Sequence, residues 1–526
     1  MLLDARSLPQ DADIEAEVCI VGGGAAGIAM AREFADTSLR VVLAESGAEK
    51  IEEDTQNLYA GSDVGRPYLD LTSCRLRYFG GTTNHWGGWC MPMDPVDFEA
   101  REGIPYSGWP FGREHLDPWY QRAQPICEVG PFDYALAGWG IAPDTIPAPF
   151  KGPHFQLKML QESPPTRFGA LYGPDLRRAE RIAVYLNANA VGFDVNDAGA
   201  EVVRLRLATL SGVRFTIRAR VYVLAAGGIE NARLLLLSGP PDGPGLGNGR
   251  DLVGRFFAPH LVYSGGVIML ADPHTELSAL LKRQGVRHPR SGQTASFTPF
   301  VGLTPGTMRA RRLPAVNVFT RYEFAPVSKT ILALKRILGM EPRKPELWDD
   351  VQAVLGDLGG VAEFGTRKVL FQQGMPVTAL HLSCTSEQLP NPDSRIGLAD
   401  ERDALGLRRV AVNWHVSDAD RRNAFEIEKL LGIEVGRTGL GRMRLSMGDN
   451  GDWPPDMYGD EHHIGTTRMH RDPAAGVVDA DCRVHGIGNL YIAGSSVFPN
   501  CGSANPTLTI IALSLRLADH IRRRLA

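Results

Sequence analysis

Ala16-Glu17-Val18-Cys19-Ile20-Val21 runs directly into Gly22-Gly23-Gly24-Ala25-Ala26-Gly27. The first six residues read as a short buried strand, and Ile28 to Ala35 has helical character. Leu39 to Ala44 is a second apolar strand, and Glu45 follows it. Strand, Gly-x-Gly-x-x-Gly, helix, strand, acid is the order of a dinucleotide-binding unit. Gly22 permits the tight turn, Gly24 lets the backbone approach a pyrophosphate, and Gly27 lets the helix pack close to the strand. The helix N-terminus stabilises phosphate charge, and Glu45 is placed to accept hydrogen bonds from ribose hydroxyls. By itself this unit leaves FAD and NAD both open.

Three further segments extend the reading. Val221 to Gly228 is a buried strand ending in small residues, including Ala226, and Ile229 to Leu237 looks helical. Tyr185 to Val191 reads as another strand. Small residues at strand ends let a cofactor lie close to the backbone. Phe79-Gly80-Gly81-Thr82-Thr83-Asn84-His85-Trp86-Gly87-Gly88-Trp89 is poor as regular structure and plausible as a rigid loop around a flat ligand.

The C-terminal block holds His462-His463-Ile464-Gly465-Thr466 and, further on, Ser503-Ala504-Asn505-Pro506-Thr507. Between them the apolar run Leu490 to Ala493 ends in Gly494 and is expected to return to the nucleotide sheet. A histidine suits general-base work near pH 7, since its unperturbed pKa is about 6.5. Asn505 offers a donor and an acceptor, so it can orient a hydroxyl without titrating.

Composition sets the outer limits. The chain has 526 residues, 44% hydrophobic and 22% charged, with a net charge of −4. Such a chain buries a sizeable core, and its charge calls for neither nucleic acid nor an anionic membrane. Gly 58 and Pro 36 imply many turns and structured loops. The seven cysteines form no Cys-x-x-Cys pair, so no metal or iron–sulfur site is expected, and buried thiols in a reducing compartment are. No run of about 18 apolar residues predicts a membrane span. Met1 to Glu17 has no secretory pattern, and the expected location is cytoplasmic.

In the middle of the chain, Ala315 to Phe324 and Thr378 to Leu389 read as strands. Arg395 to Leu398 and Arg408 to Val416 read as a hairpin, and Asp418 to Leu440 as an amphipathic helix. Together they suggest a second, mostly antiparallel sheet between about residues 260 and 440. The stretch 329–339 reads as a half-buried helix, and the Arg-rich stretches 282–290 and 309–312 as solvated loops.

These segments, in this order, resemble the glucose–methanol–choline (GMC) family of FAD-dependent oxidoreductases. The resemblance spans Ala16 to Ile521 and is strongest at Gly22–Gly27 with Glu45, at Gly80–Gly88, and from His462 to Thr509. The Thr-Asn-His-Trp loop and the Ala-Asn-Pro-Thr ending look most like the branch of pyranose 2-oxidase and bacterial sugar dehydrogenases. The resemblance implies an α/β fold: a Rossmann-like FAD-binding domain with a second α+β substrate domain on a mostly antiparallel sheet. The expected FAD domain is 1–150, 176–260 and 441–526; the substrate domain is 151–175 and 261–440.

It also implies roles. His462, by its spacing to Gly465-Thr466, takes the position of the catalytic base, and His463 is a neighbour pointing elsewhere. Asn505 falls on the second catalytic position. FAD contacts are expected from Gly22, Gly24, Ala25, Ala26, Gly27, Glu45, Gly80, Gly81, Thr82, Asn84, His85, Val191, Ala226, Gly494, Asn505 and Thr507. His85 stands where some members link covalently to the flavin, and both covalent and non-covalent FAD stay open. The implied reaction is oxidation of a secondary alcohol of a sugar or glycoside to a ketone, with hydride passing to flavin N5. Oxygen or another acceptor then reoxidises the flavin, and a homo-oligomer is compatible with this. The same chemistry on a polyol, sterol or natural-product intermediate is an alternative, as is non-redox lyase or isomerase chemistry. The intact His462–Asn505 pair argues against a pure binding protein. The iron–sulfur cysteines and secretion signals of some relatives have no counterpart in this sequence.

Overall fold

A computed structural model describes residues 1–240, 243–324, 329–337, 347–359, 376–448 and 451–526. Two large sheets carry two apolar cores. In the first sheet Ala12–Val21 lies between Val41–Ala44 and Arg214–Leu224, parallel to both. Ile182–Leu186 and Leu2–Asp4 extend the parallel part beyond Val41–Ala44. Val18 to Val21 and Val41 to Ala44 are buried throughout, as strands covered on both faces must be.

Arg214–Leu224 divides its far edge. Its first half pairs antiparallel with Val202–Ala208, while Tyr222 to Leu224 pair in parallel with Leu490–Ile492. The C-terminal run thus joins the sheet begun at Ala12. The helix Thr507–Leu525 then packs against Ala25–Arg32 and Asp117–Ile126, burying Leu508, Ile511, Leu515 and Ala518. Those positions recur at helical spacing, which is why one face of this helix is core.

The second sheet is antiparallel at every pairing. Its order is Gly441–Arg444, Leu261–Leu270, Val377–Ser386, Val316–Phe324, Thr294–Leu303, Phe155–Glu162, Trp89–Cys90. Arg283–Arg287 and Tyr458–Gly459 pair on its sides. The helix Asp418–Arg437 starts at a capping box in which Ser417 and Asp420 satisfy each other's backbone N–H groups.

Several expectations are corrected. Tyr185 to Val191 is two strands, Ile182–Leu186 and Asn189–Val195. Asn187 sits at φ 59° between them, where a short polar side chain tolerates left-handed backbone, and Ala188 N–H donates to the Glu45 carbonyl. The hairpin Arg395–Arg402 and Arg408–Asn413 stands outside the second sheet, pairing instead with Gly61–Asp63. The second sheet also reaches past residue 440, because Leu261–Leu270 takes partners from 441–444 and 458–459. Phe168–Arg178 packs on Ala25–Arg32 and contributes Phe168, Tyr172 and Leu176 to the first core. The Arg-rich stretches are regular: Arg283–Arg287 is a strand, and Pro305–Arg311 is a helix capped by Thr304. Their basic side chains still face outward, where Arg309 pairs with Glu99. Lys329–Ile337 is a helix with Thr330 and Ala333 buried, and 338–339 lie outside the described residues.

Candidate active site

A cavity of about 990 Å³ opens between the two sheets, near the upper end of what small-molecule sites enclose. Its walls include Gly22, Gly24, Ala25, Ala26, Glu45, Gly81, Thr82, His85, Ala226, Gly494, Asn505 and Thr507, and also His462. Gly27, Gly80, Asn84 and Val191 do not line it. A Cβ on Gly27 would lie 1.9 Å from the Gly22 carbonyl oxygen, so Gly27 serves helix–strand packing. Gly80 and Asn84 hold the loop: Gly80 N–H donates to Gly23 O, and Asn84 Nδ2 donates to Phe79 O. On the strand Asn189–Val195 the wall comes from Ala190, with Ala188 just before it, because the turn at Asn187 resets which side chains face inward.

Three helix N-termini point at the cavity: Ala25–Arg32, Gly227–Leu236 and Thr507–Leu525. Their N-caps, Gly24, Ala226 and Pro506, make no side-chain cap hydrogen bond. Free N–H groups and aligned dipoles there favour an anion such as a phosphate. Glu45 accepts N–H bonds of 2.7 Å from both Gly23 and Gly47. Burial nevertheless raises its carboxyl pKa, and those bonds work in the other direction.

His85 follows a short 3₁₀ turn, Gly81–Asn84, and is exposed to the cavity. Its neighbours are fixed, since Asn84 is tied to Phe79 and Trp86 Nε1 donates to Thr166 O. Burial lowers the His85 pKa, so the imidazole is neutral at pH 7.

The C-terminal block is stapled to the first sheet. Thr466 Oγ1 donates to Gly228 O, Ser495 Oγ donates to His463 O, and Asn231 Nδ2 donates to Ser496 Oγ. Asn505 Nδ2 stands 3.3 Å from His462 Nε2. The other ring nitrogen of His462 lies 2.5 Å from Asp460 Oδ2. Asp460 Oδ1 accepts the backbone N–H groups of both His260 and His462. Burial works against the Asp460 charge, but the His462 and His260 imidazoles beside it hold its carboxyl far below the usual range. His463 packs its ring between Tyr68 and Phe257, with Nε2 3.7 Å from Cys74 Sγ. Burial pushes its pKa down to about 3, so it stays neutral.

Sequence reasoning missed His260 and Asp460, which touch His462. Asp460 sits two positions before His462, a spacing that could have flagged it; nothing local marks His260. It also missed a buried charge cluster at the cavity wall. Glu230 takes Arg75 Nη1 at 3.0 Å and lies near Arg77 and Arg233, while Arg233 Nη2 donates to Asp403 at 2.7 Å. Burial opposes the Glu230 charge, yet Arg233, Arg75 and Arg77 prevail and lower its pKa to about 2.

A sequence model of the family described as GMC oxidoreductase matches residues 390–514, which include His462 and Asn505. The chain is 26% identical over 586 residues to 6'''-hydroxyparomomycin C oxidase of Streptomyces lividus, covering 98% of this chain and 93% of that protein. By these matches the chain is a relative of the GMC oxidoreductases, with the family's C-terminal domain at 390–514. The GMC fold extends over nearly its full length: pyridoxine 4-oxidase from Mesorbium loti superposes with a TM-score of 0.56 at 18% identity, over 96% of this chain and 99% of that one. Fructose dehydrogenase large subunit of Gluconobacter japonicus is 23% identical over 97% of this chain and 98% of its own length.

GMC oxidoreductases bind FAD. The cavity of this chain fits the group: a Cβ on Gly24 would meet nothing within 4 Å, so the turn leaves open space beside three uncapped helix ends. All seven cysteines are buried free thiols. No helix among the described residues is long and apolar enough to cross a membrane.

Proposed function

We propose that this chain oxidises a hydroxyl of a sugar or glycoside to a carbonyl, a ketone where the carbon is secondary, with His462 as the base. One observation carries the reading: His462 Nε2 and Asn505 Nδ2, 3.3 Å apart, both face the cavity that the nucleotide fingerprint lines. An N–H at His462 Nδ1 donates to Asp460, so Nε2 carries the ring's lone pair and accepts from Asn505 Nδ2 until a substrate hydroxyl takes that place. Nε2 takes the hydroxyl proton, and Asn505 Nδ2 donates to the oxygen as negative charge develops on it. FAD, when bound, would supply the hydride acceptor. Gly22, Gly24 and the helix at Ala25 would hold its pyrophosphate, and Glu45 its ribose. We assign the sugar class from the relatives, one named for fructose and one for 6'''-hydroxyparomomycin C.

His85 is proposed as a covalent anchor for the flavin. It is neutral, exposed to the cavity and held in place from both flanks.

The test is anaerobic mixing of the flavin-loaded protein with D-fructose, D-glucose, methyl β-D-glucoside and 1,2-propanediol. Bleaching of the flavin band by a sugar supports the reading. Bleaching by the diol alone moves the substrate to non-sugar alcohols. Bleaching by none of them overturns the proposal.

A further inference from the structure

The site holds more proton-carrying groups than a single base requires. His260 Nδ1 lies 2.8 Å from His462 Nδ1, and Asp460 Oδ2 lies 2.5 Å from His462 Nδ1 and 3.6 Å from His260 Nδ1. Two ring nitrogens at that separation share one hydrogen. Placed on His462 Nδ1, it is accepted by both the carboxylate and the His260 lone pair. His260 then carries its own hydrogen on the buried Nε2, and the Cys501 thiol is a further side-chain hydrogen-bond partner of the ring. The His260 side chain is fully buried. Of the groups that touch it, His462 and Asp460 line the cavity, and His462 is the nearer to its Nδ1.

We propose that His260 takes over the proton that alcohol oxidation places on His462. This rests on the reading of His462 as the base. The step balances. The hydroxyl O–H breaks and its proton bonds to His462 Nε2. The Nδ1 proton of His462 passes to His260 Nδ1. The carbon's hydride goes to the flavin, which is reduced as the alcohol is oxidised. His462 ends neutral with its proton on Nε2, and His260 ends as an imidazolium beside the Asp460 carboxylate. A neutral imidazole is a far weaker acid than an imidazolium, so the alkoxide is not reprotonated before hydride leaves.

The surroundings suit that end state. Asp460 and His462 face His260 directly, and Cys501 faces it from the C-terminal block. Glu461 and His463 flank on the same segment as Asp460, Arg75 acts on His463, and the Tyr68 hydroxyl donates to the Asp460 carbonyl. Burial opposes a charge on His260, but Asp460 and Cys501 outweigh it and raise its proton affinity. His260 is thus a positioning residue that acts through His462.

The experiment is flavin reduction in the holoenzyme from pH 5 to 9, using the alcohol of the panel that bleaches fastest. His260→Asn keeps a hydrogen-bonding group near Nδ1 but cannot hold a proton. The relay predicts that its plateau rate falls and that the acid limb moves down by about one pH unit, a tenfold change in proton affinity. A plateau that falls with the limb unmoved means a structural role only and overturns the relay, as does a profile like that of the parent. If His260→Asn loses its flavin, a proton inventory on the unsubstituted enzyme decides. A curved inventory, two protons in flight, supports the relay, and a linear one overturns it. His462→Ala separates the two readings. Full activity in that variant removes the base assignment itself, whereas a dead His462→Ala beside an unaltered His260→Asn removes only the relay.

Discussion

Asn505 Nδ2 and His462 Nε2 stand 3.3 Å apart although 43 positions separate them in the chain. The pairing exists because Leu490–Ile492 docks on Arg214–Leu224 between the two residues, returning Asn505 to the cavity just before the last helix begins. Both side chains therefore line the same cavity.

His462→Ala is expected to slow flavin reduction by about 10² to 10⁴, the usual contribution of a general base. His463→Ala is expected to keep the rate and lower thermal stability, since its ring packs with Tyr68 and Phe257. Stopped-flow reduction and a melting curve check both. The reverse pattern would exchange the two histidines.

Asn505→Ala should cost about 10² to 10³ in reduction rate, as loss of an oxyanion donor does. Asn505→Asp should act differently. A carboxylate beside His462 favours its protonated form, so the acid limb of the pH–rate profile should move to higher pH. An unmoved limb would place Asn505 outside contact with the base.

Glu230→Gln removes the carboxylate that buried Arg75, Arg77 and Arg233 share, leaving Asp403 to pair with Arg233, and should destabilise the fold by about 3–5 kcal/mol. The native carboxylate also gives a pH dependence. Its folded pKa, lowered to about 2, lies below the ordinary 4.5, so its stabilisation is complete above pH 4.5 and is lost as pH falls toward 2. Acid unfolding of Glu230→Gln should lack this component; denaturant melts between pH 2 and 6 measure it.

Gly27→Ala puts a methyl 1.9 Å from the Gly22 carbonyl oxygen, and the helix Ala25–Arg32 must then move off its strand. The purified variant should hold little flavin, read as the ratio of absorbance at 450 to that at 280 nm, roughly. Flavin content equal to the parent would show that this approach is not needed for binding.

Acid precipitation tests His85. Yellow colour should stay with the pellet, and His85→Ala should release it to the supernatant. Colour released from the unsubstituted protein would make the contact non-covalent.

Much of this was legible in the chain because it is locally determined. A run from Ala16 to Val21 followed by three glycines has few options besides a buried strand and a tight turn, and Glu45 follows at the end of the next strand. The Thr82–Trp86 loop and the His462–Thr466 and Asn505–Thr507 segments carry their residues at short, fixed spacings. The strand break at Asn187 was not legible, because a single left-handed residue leaves the apolar pattern around it intact. The hairpin at Arg395–Asn413 was seen as a hairpin, but its strand pattern does not say which sheet receives it.

The sequence alone marked out the glycine turn after Val21 and the His462 and Asn505 segments, since backbone conformation and residue type within each segment constrain them. Only the tertiary structure decided what surrounds His462. His260 reaches His462 across 202 positions, and Glu230 gathers Arg75 and Arg77 from more than 150 positions away. Strand pairing and burial bring such groups together, and neither leaves a trace in the spacing of residues along the chain.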